Sequence, residues 1–258
     1  MIEIRHRAIR QGQSTQAAYD DLYEARDLLM RDSFYLWLIE LMAPQPGEFL
    51  LDVACGQGRL IQLAAAQGLN VTGIDFSAVG MQTNAQRAPR AKWLLGDGEA
   101  LPLADASVDC LLNIGSLEHY QQPWQGVREM ARILKPGGRA CILVPNAYGF
   151  LGNIQHVWST GEIFDDGQPL QRYATRRTWE TLLERGGLQV ERLVPYSEVN
   201  WPRTPQDWLW LARRQQKIMR AALARFIPPN FANQLVFLCR RAPQGPSRDP
   251  YPMWALPW

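Results

Sequence analysis

Apolar residues recur at two different periods along this chain, and the switch between them predicts an architecture. Between 15 and 43, Leu22, Leu28, Leu29, Leu36, Ile39 and Leu41 fall at rough helical spacing, and Pro44, Pro46 and Gly47 end the segment. Short apolar runs then take over at 49–54, 70–75, 92–95, 108–114 and 139–144, each read as a strand. Helical patterns lie between them. Leu60, Ile61, Leu63 and Ala64 follow the first run, Ser77 is placed to cap a helix after the second, and Pro123 suits the first turn of a helix running to Leu134. Thr175 can cap a helix reaching Arg185, and runs at 188–194 and 234–239 supply two more strands. Strands alternating with helices predict βαβ units, hence an α/β fold with a mostly parallel sheet covered on both faces.

Two stretches break the alternation. Residues 145–174 are too long for an ordinary strand-to-helix connection, and such insertions usually carry structure or function of their own. In 201–232, Thr204, Pro205 and Asp207 mark a helix start and Pro228-Pro229 its end. The expected organisation is a helical cap over 1–47, an α/β domain over 48–241 containing both insertions, and an extended proline-rich tail over 242–258.

Composition narrows the class. At 258 residues and 47% hydrophobic content, the chain can bury a sizeable core. A net charge of +2 is too small for the whole surface to trap nucleic acid, and no nucleic-acid partner is expected. No apolar run is long enough to span a bilayer, and the start, MIEIRHRAIR, has no apolar core of a secretion signal. Cys55, Cys110, Cys141 and Cys239 are far apart and lie in or beside apolar runs. They read as reduced thiols of a cytosolic protein, with neither a disulfide framework nor a metal site expected.

The chemistry concentrates around Leu50-Leu51-Asp52-Val53-Ala54-Cys55-Gly56-Gln57-Gly58. A glycine-rich turn between strand and helix lets backbone approach a ligand and leaves free N–H groups at the helix start. A dinucleotide fingerprint would want Gly or Ala at position 61, where this chain has Ile61, so a nucleoside without a pyrophosphate is favoured. Asp75 lies nineteen residues after Gly56 at a strand end, where a carboxylate can accept from both ribose hydroxyls. In Gly96-Asp97-Gly98, Asp97 can accept from the exocyclic amine of an adenine, and Asn113-Ile114-Gly115 ends the fourth strand.

These motifs, in this order, resemble a class I S-adenosylmethionine-dependent methyltransferase. The resemblance rests on Asp52-Val53-Ala54-Cys55-Gly56-Gln57-Gly58, Gly73-Ile74-Asp75-Phe76-Ser77 and Gly96-Asp97-Gly98-Glu99-Ala100-Leu101-Pro102-Leu103. Ser107-Val108-Asp109 and Leu134-Lys135-Pro136-Gly137-Gly138 complete it. It covers about 48–145 well and 175–240 in outline. It implies a Rossmann-like seven-stranded sheet with an antiparallel last strand, and S-adenosyl-L-methionine as methyl donor. It also implies that Gly56 and Gly58 border the methionine part, Asp75 the ribose, and Asp97 with Gly98 the adenine. Phe76 would flank the adenine ring, and Asn113 would lend its backbone near the methionine end. Asp52 either holds the glycine turn or touches cofactor. Ala54 stands where many members have the first glycine, and as the smallest replacement it should leave binding intact. Asp109 and Pro136-Gly137-Gly138 are read as structural.

The acceptor is less legible. His119, in Ser116-Leu117-Glu118-His119-Tyr120, follows the fourth strand near where the methyl group should sit, and is the candidate catalytic base; a local hydrogen bond is its plainer reading. His6 reads as solvated, and His156, Asp165 and Asp166 lie in the first insertion. That insertion, with Tyr148, Phe150 and Trp158, is expected to help roof an acceptor pocket, and Tyr19 and Tyr23 to close over cofactor. The stretch 205–227 carries Trp208, Leu211, Ile218, Met219, Ala222 and Phe226 on one stripe, with Arg213, Arg214, Lys217, Arg220 and Arg225 around it. It reads as a packed helix with a solvated cationic face, a lid over an amphiphilic acceptor, or a peripheral contact with an anionic membrane. The expected activity is methyl transfer to a small-molecule or lipid-like acceptor at oxygen. The rivals are a cofactor-binding module without turnover and a nicotinamide-dependent oxidoreductase, which Ile61 disfavours.

Overall fold

The computed structural model describes residues 1–5, 14–25, 29–89, 91–197 and 202–247. His6, Trp254 and Trp258 lie outside the described residues. The chain opens with strand β1 (Ile2–Arg5) and helices α1 (Thr15–Ala25) and α2 (Asp32–Met42). The alternating body follows: β2 (Phe49–Val53), α3 (Arg59–Ala66), β3 (Asn70–Asp75), α4 (Ala78–Arg87), β4 (Lys92–Leu95), β5 (Val108–Ile114), α5 (Pro123–Ile133) and β6 (Leu134–Pro145). Beyond it come α6 (Gln155–Thr160), β7 (Leu170–Tyr173), α7 (Arg176–Arg185), β8 (Leu188–Tyr196), α8 (Pro205–Ala212), α9 (Gln215–Ala224) and β9 (Gln234–Arg241).

Seven strands form one sheet in the order β4-β3-β2-β5-β6-β9-β8. Pairing is parallel from β4 to β6, and β9 runs antiparallel to both β6 and β8. This is the Rossmann-like arrangement that the motifs implied. Winding proceeds in opposite directions on the two sides of the β2–β5 pair. The loops leaving these neighbours therefore diverge and open a crevice at their carboxyl ends, where open α/β sheets take ligands.

Both faces of the sheet are covered, which is why its strands read as continuous apolar runs. Successive side chains of a strand point to opposite faces. Leu51 accordingly joins one core with Leu111, Ile142, Trp179 and Phe237, while Leu50 joins another with Leu112, Val236 and the α2 residues Phe34 and Leu38. Each such fully buried side chain contributes about 1.5–3 kcal/mol. Trp179 keeps its one polar atom satisfied, its indole N–H donating to the Pro145 carbonyl at 2.9 Å.

Two expectations from the pattern need correction. The single helix over 15–43 is two helices, because Met30 and Arg31 leave helical conformation before α2 begins, Arg31 being extended at its N-cap. The helix over 205–227 is also two, broken at Arg213 and Arg214 between α8 and α9. The insertion 145–174 contains a π-helical turn at Phe150–Ile154, α6 and the strand β7. Strand β7 pairs antiparallel with β1 in a separate two-stranded sheet that the apolar pattern did not reveal. Neither β1 nor β7 alternates over more than four residues, too short a run to show a period.

Candidate active site

The crevice above β2 and β5 is a cavity of about 1210 Å³. Single-ligand pockets occupy roughly 300–1,000 Å³, so this one has room for a cofactor and an acceptor together. Of the residues singled out from the sequence, Asp52, Ala54, Gly56, Asp75, Phe76, Asp97, Gly98 and His119 all line it.

The glycine turn is wound by left-handed residues. Ala54, Gly56 and Gly58 have φ of 58°, 51° and 67°. The left-handed region is unfavourable for a residue with a Cβ, so Ala54 holds strain that glycine would not. Ala54→Gly is expected to stabilise the fold by roughly 0.5–1 kcal/mol, the relief being partly offset by the greater freedom of an unfolded glycine. An upward shift of the urea midpoint would show this; a downward shift would contradict it. Gly58 does not reach the cavity. A Cβ there would lie 2.5 Å from the Trp93 ring and 2.9 Å from Asn84, so its role is close packing behind the turn.

Asp75 ties the turn to the next element. Its Oδ2 accepts from the Gly56 N–H at 2.8 Å, and its Oδ1 accepts from the Ser77 N–H at 2.9 Å. The Phe76 N–H also holds this carboxylate, which keeps acceptor capacity for ligand hydroxyls. Burial pushes its pKa up to about 6, the backbone N–H groups holding it lower than burial alone would. Asp52 is also buried, with no side-chain hydrogen bond among the described residues, and burial with the neighbouring Asp75 charge raises it to about 8.

On the adenine side, Asp97 Oδ1 accepts from the Glu99 N–H at 2.8 Å, fixing the turn. A Cβ on Gly98 would fall 2.1 Å from the Tyr120 hydroxyl, so the glycine lets that ring lie against the loop. Tyr120 Oη in turn takes a hydrogen bond from Asn113 Nδ2 at 3.0 Å, and the same amide donates to the Val53 carbonyl at 3.1 Å. Asn113 thus sits behind the wall, tying β5 to β2, and does not line the cavity. Helix α1 packs on α4 and covers this side. Gln16 Nε2 donates to the Phe76 carbonyl at 2.8 Å, and the Tyr19 ring is 5.5 Å from that of Phe76 and 6.0 Å from that of His119. The side chain of Tyr23 lies outside what is described.

His119 is buried in a short 3₁₀ turn, Leu117–His119. Its Nδ1 meets the Leu170 carbonyl, which can only accept, so Nδ1 carries the proton and Nε2 keeps its lone pair. Burial holds the imidazole below its usual pKa. Beside it, Glu118 is pushed up to about 8 by burial, and its Oε2 has no hydrogen-bond partner among the described residues. The turn is clamped by Arg172 of β7, which donates to the carbonyls of Glu118 and Tyr120 and pairs with Glu3 of β1 at 2.8 Å. The two-stranded sheet therefore positions the candidate base, and neither Glu118 nor Arg172 was singled out from the sequence. From the insertion, Leu151, Asn153, His156, Phe164 and Asp166 reach the cavity. Tyr148, Phe150 and Trp158, expected to roof it, instead point outward and are exposed. Asp165 and Asp166 each accept a backbone N–H of their own turn, from Gly167 and Gln168.

The cavity therefore presents adjacent buried carboxyls at Asp52 and Asp75. Such groups favour a ligand that brings positive charge. S-adenosylmethionine, with an ammonium and a sulfonium, fits that requirement. Asp75 and Asp97 would face its ribose and adenine, and Asp52 and Gly56 its methionine end.

Comparison with known proteins agrees. Residues 51–142 match the family described as "Methyltransferase domain". The ubiquinone/menaquinone biosynthesis C-methyltransferase UbiE of Rubrivivax gelatinosus is 37% identical over 52% of this chain and 55% of its own length. The 27-O-demethylrifamycin SV methyltransferase of Amycolatopsis mediterranei is 28% identical over 73% of this chain and 72% of its own. The first of these alignments thus spans about half of either protein. Among solved structures, the [4+2]-cyclase SpnF superposes with a TM-score of 0.57 and 21% identity, over 90% of this chain and 84% of that one, a likeness of fold alone. Sheet order and cradle are those that the motifs implied, and residues 51–142 carry the similarity to the methyltransferase domain family.

Proposed function

We propose that the protein methylates a hydroxyl oxygen of a small amphiphilic acceptor. The observation that carries this reading is His119, whose proton is held at Nδ1 by Leu170 and whose Nε2 is left as a neutral base in the cavity wall. A base matters where the acceptor must lose a proton as the new bond forms, as a hydroxyl does, and contributes about 10²–10⁴-fold. Bound S-adenosylmethionine supplies an electrophilic methyl group. The chain orients the acceptor before it, an effect worth on the order of 7–11 kcal/mol when alignment is good. Glu118, protonated at neutral pH, donates a hydrogen bond to the acceptor, and Phe34, Leu143 and Phe164 give its apolar part an apolar wall. The relative aligned over the larger share of this chain is oxygen-directed by its name, which favours oxygen over carbon.

The test is direct. Calorimetric titration should show binding of S-adenosylhomocysteine and none of NADH. Incubation with methyl-labelled S-adenosylmethionine and a panel of phenols and hydroxylated amphiphiles should place label on oxygen. Absence of any S-adenosylhomocysteine heat would defeat the reading, and so would label found only on carbon.

A further inference from the structure

The exposed apolar residues of the later half gather on two neighbouring elements. On α9, Ile218, Met219, Leu223 and Phe226 recur on and just past the helix at spacings that share a face, and their surfaces remain 48%, 60%, 49% and 84% open to solvent. In the insertion, Phe150 and Trp158 are 53% and 90% exposed. Arg220 of α9 donates to the Leu151 carbonyl, and both residues line the cavity. The apolar stripe and the outward aromatics therefore flank the cavity's rim. A helix that ends at the surface of a soluble domain normally turns such a stripe inward, and contiguous exposed apolar surface marks an interaction site.

Charge indicates the occupant. Residues 205–227 hold five basic residues and one acidic, Asp207, which is buried and 3.4 Å from Arg31. Arg213, Arg214 and Arg225 are exposed and form no ion pair among the described residues; Arg214 lies over the Trp210 ring at 4.7 Å. Cationic side chains beside protruding aromatics and aliphatics are the pattern of helices that lie in an anionic lipid interface. A fluid bilayer also takes up protruding side chains such as Trp158 and Phe226 without preformed sockets, which a protein partner would have to supply.

We propose that this rim seats on an anionic lipid bilayer, so that the cavity faces the membrane and takes its amphiphilic acceptor from the lipid phase. The acceptor half of the statement rests on the methyltransferase reading above; the docking half does not.

The experiment sediments the full-length protein with vesicles of phosphatidylcholine, with and without phosphatidylglycerol, at low and high salt. Binding is expected only with phosphatidylglycerol and is lost at high salt. Each arginine near such a surface contributes about 1 kcal/mol, so Arg213→Gln with Arg225→Gln should weaken partitioning about thirtyfold. Met219→Ser with Phe226→Ser, both at exposed positions, should weaken it at least about tenfold while leaving the melting temperature unchanged. The proposal is overturned by no sedimentation, by equal binding to neutral vesicles, or by variants that bind like the parent. It is equally overturned by a dimer that Phe226→Ser dissolves in a protein that ignores vesicles. S-adenosylhomocysteine affinity, measured on the same preparations, reports the cofactor site separately, so a failure of docking is not mistaken for a failure of the enzyme reading.

Discussion

Asp75→Ala should weaken S-adenosylhomocysteine binding by roughly 10²–10⁴-fold, because two hydrogen bonds to a charged acceptor, each worth about 1.5–3 kcal/mol, disappear together. The loss is double in origin. The side chain would no longer meet the ribose, and the Gly56 and Ser77 N–H groups, held at 2.8 and 2.9 Å, would lose their shared acceptor. Asp75→Asn should rescue little. An amide has only one accepting oxygen, so its NH₂ would face one of the two backbone donors. Calorimetry on variants whose circular dichroism matches the parent reads the effect. Affinity within about threefold of the parent, well below the value of one charged hydrogen bond, would show that Asp75 merely braces the turn and does not hold the ribose.

His119→Ala should lower turnover by about 10²–10⁴-fold while leaving cofactor affinity near that of the parent. The pH profile adds a second readout. Burial lowers the His119 pKa below its usual value, so the base stays unprotonated into mildly acidic solution and the rate falls only as pH drops through that lowered value. Glu118 has the opposite shift, up to about 8, so it remains a proton donor at neutral pH and loses that capacity as pH rises through about 8. A bell is expected, and Glu118→Gln, which keeps a donor at every pH, should remove its alkaline limb. The groups facing this pair are Tyr19 from α1, Asp166 from the insertion and Arg172 from β7. A His119→Ala enzyme with unchanged turnover would mean that positioning alone suffices and that the imidazole is only a fixture of the turn.

Much of the cradle is legible because local sequence dictates it. A turn that must wind left-handed at several positions calls for glycine, and Gly56 and Gly58 announce it. Asp75 is legible for a similar reason, since a strand end nineteen residues on places a carboxylate beside the turn. What the sequence does not show is the packing behind the cradle, where the Asn113 amide meets Tyr120 and the Trp93 ring lies against Gly58. Glu118 was hidden because its identity says nothing of burial; an exposed Glu in the same tripeptide would be an ordinary surface acid.

The sequence by itself determined the strand–helix alternation, the parallel character of the sheet and the order of the cofactor motifs, because each depends on residues close together in the chain; the antiparallel last strand was implied by the family resemblance alone. Tertiary structure alone decided that β1 and β7 meet, that Arg172 clamps the His119 turn, and that the stripe on α9 faces solvent. Those outcomes join residues as far apart as Glu3 and Arg172, and no local period records which distant surfaces are left to find one another.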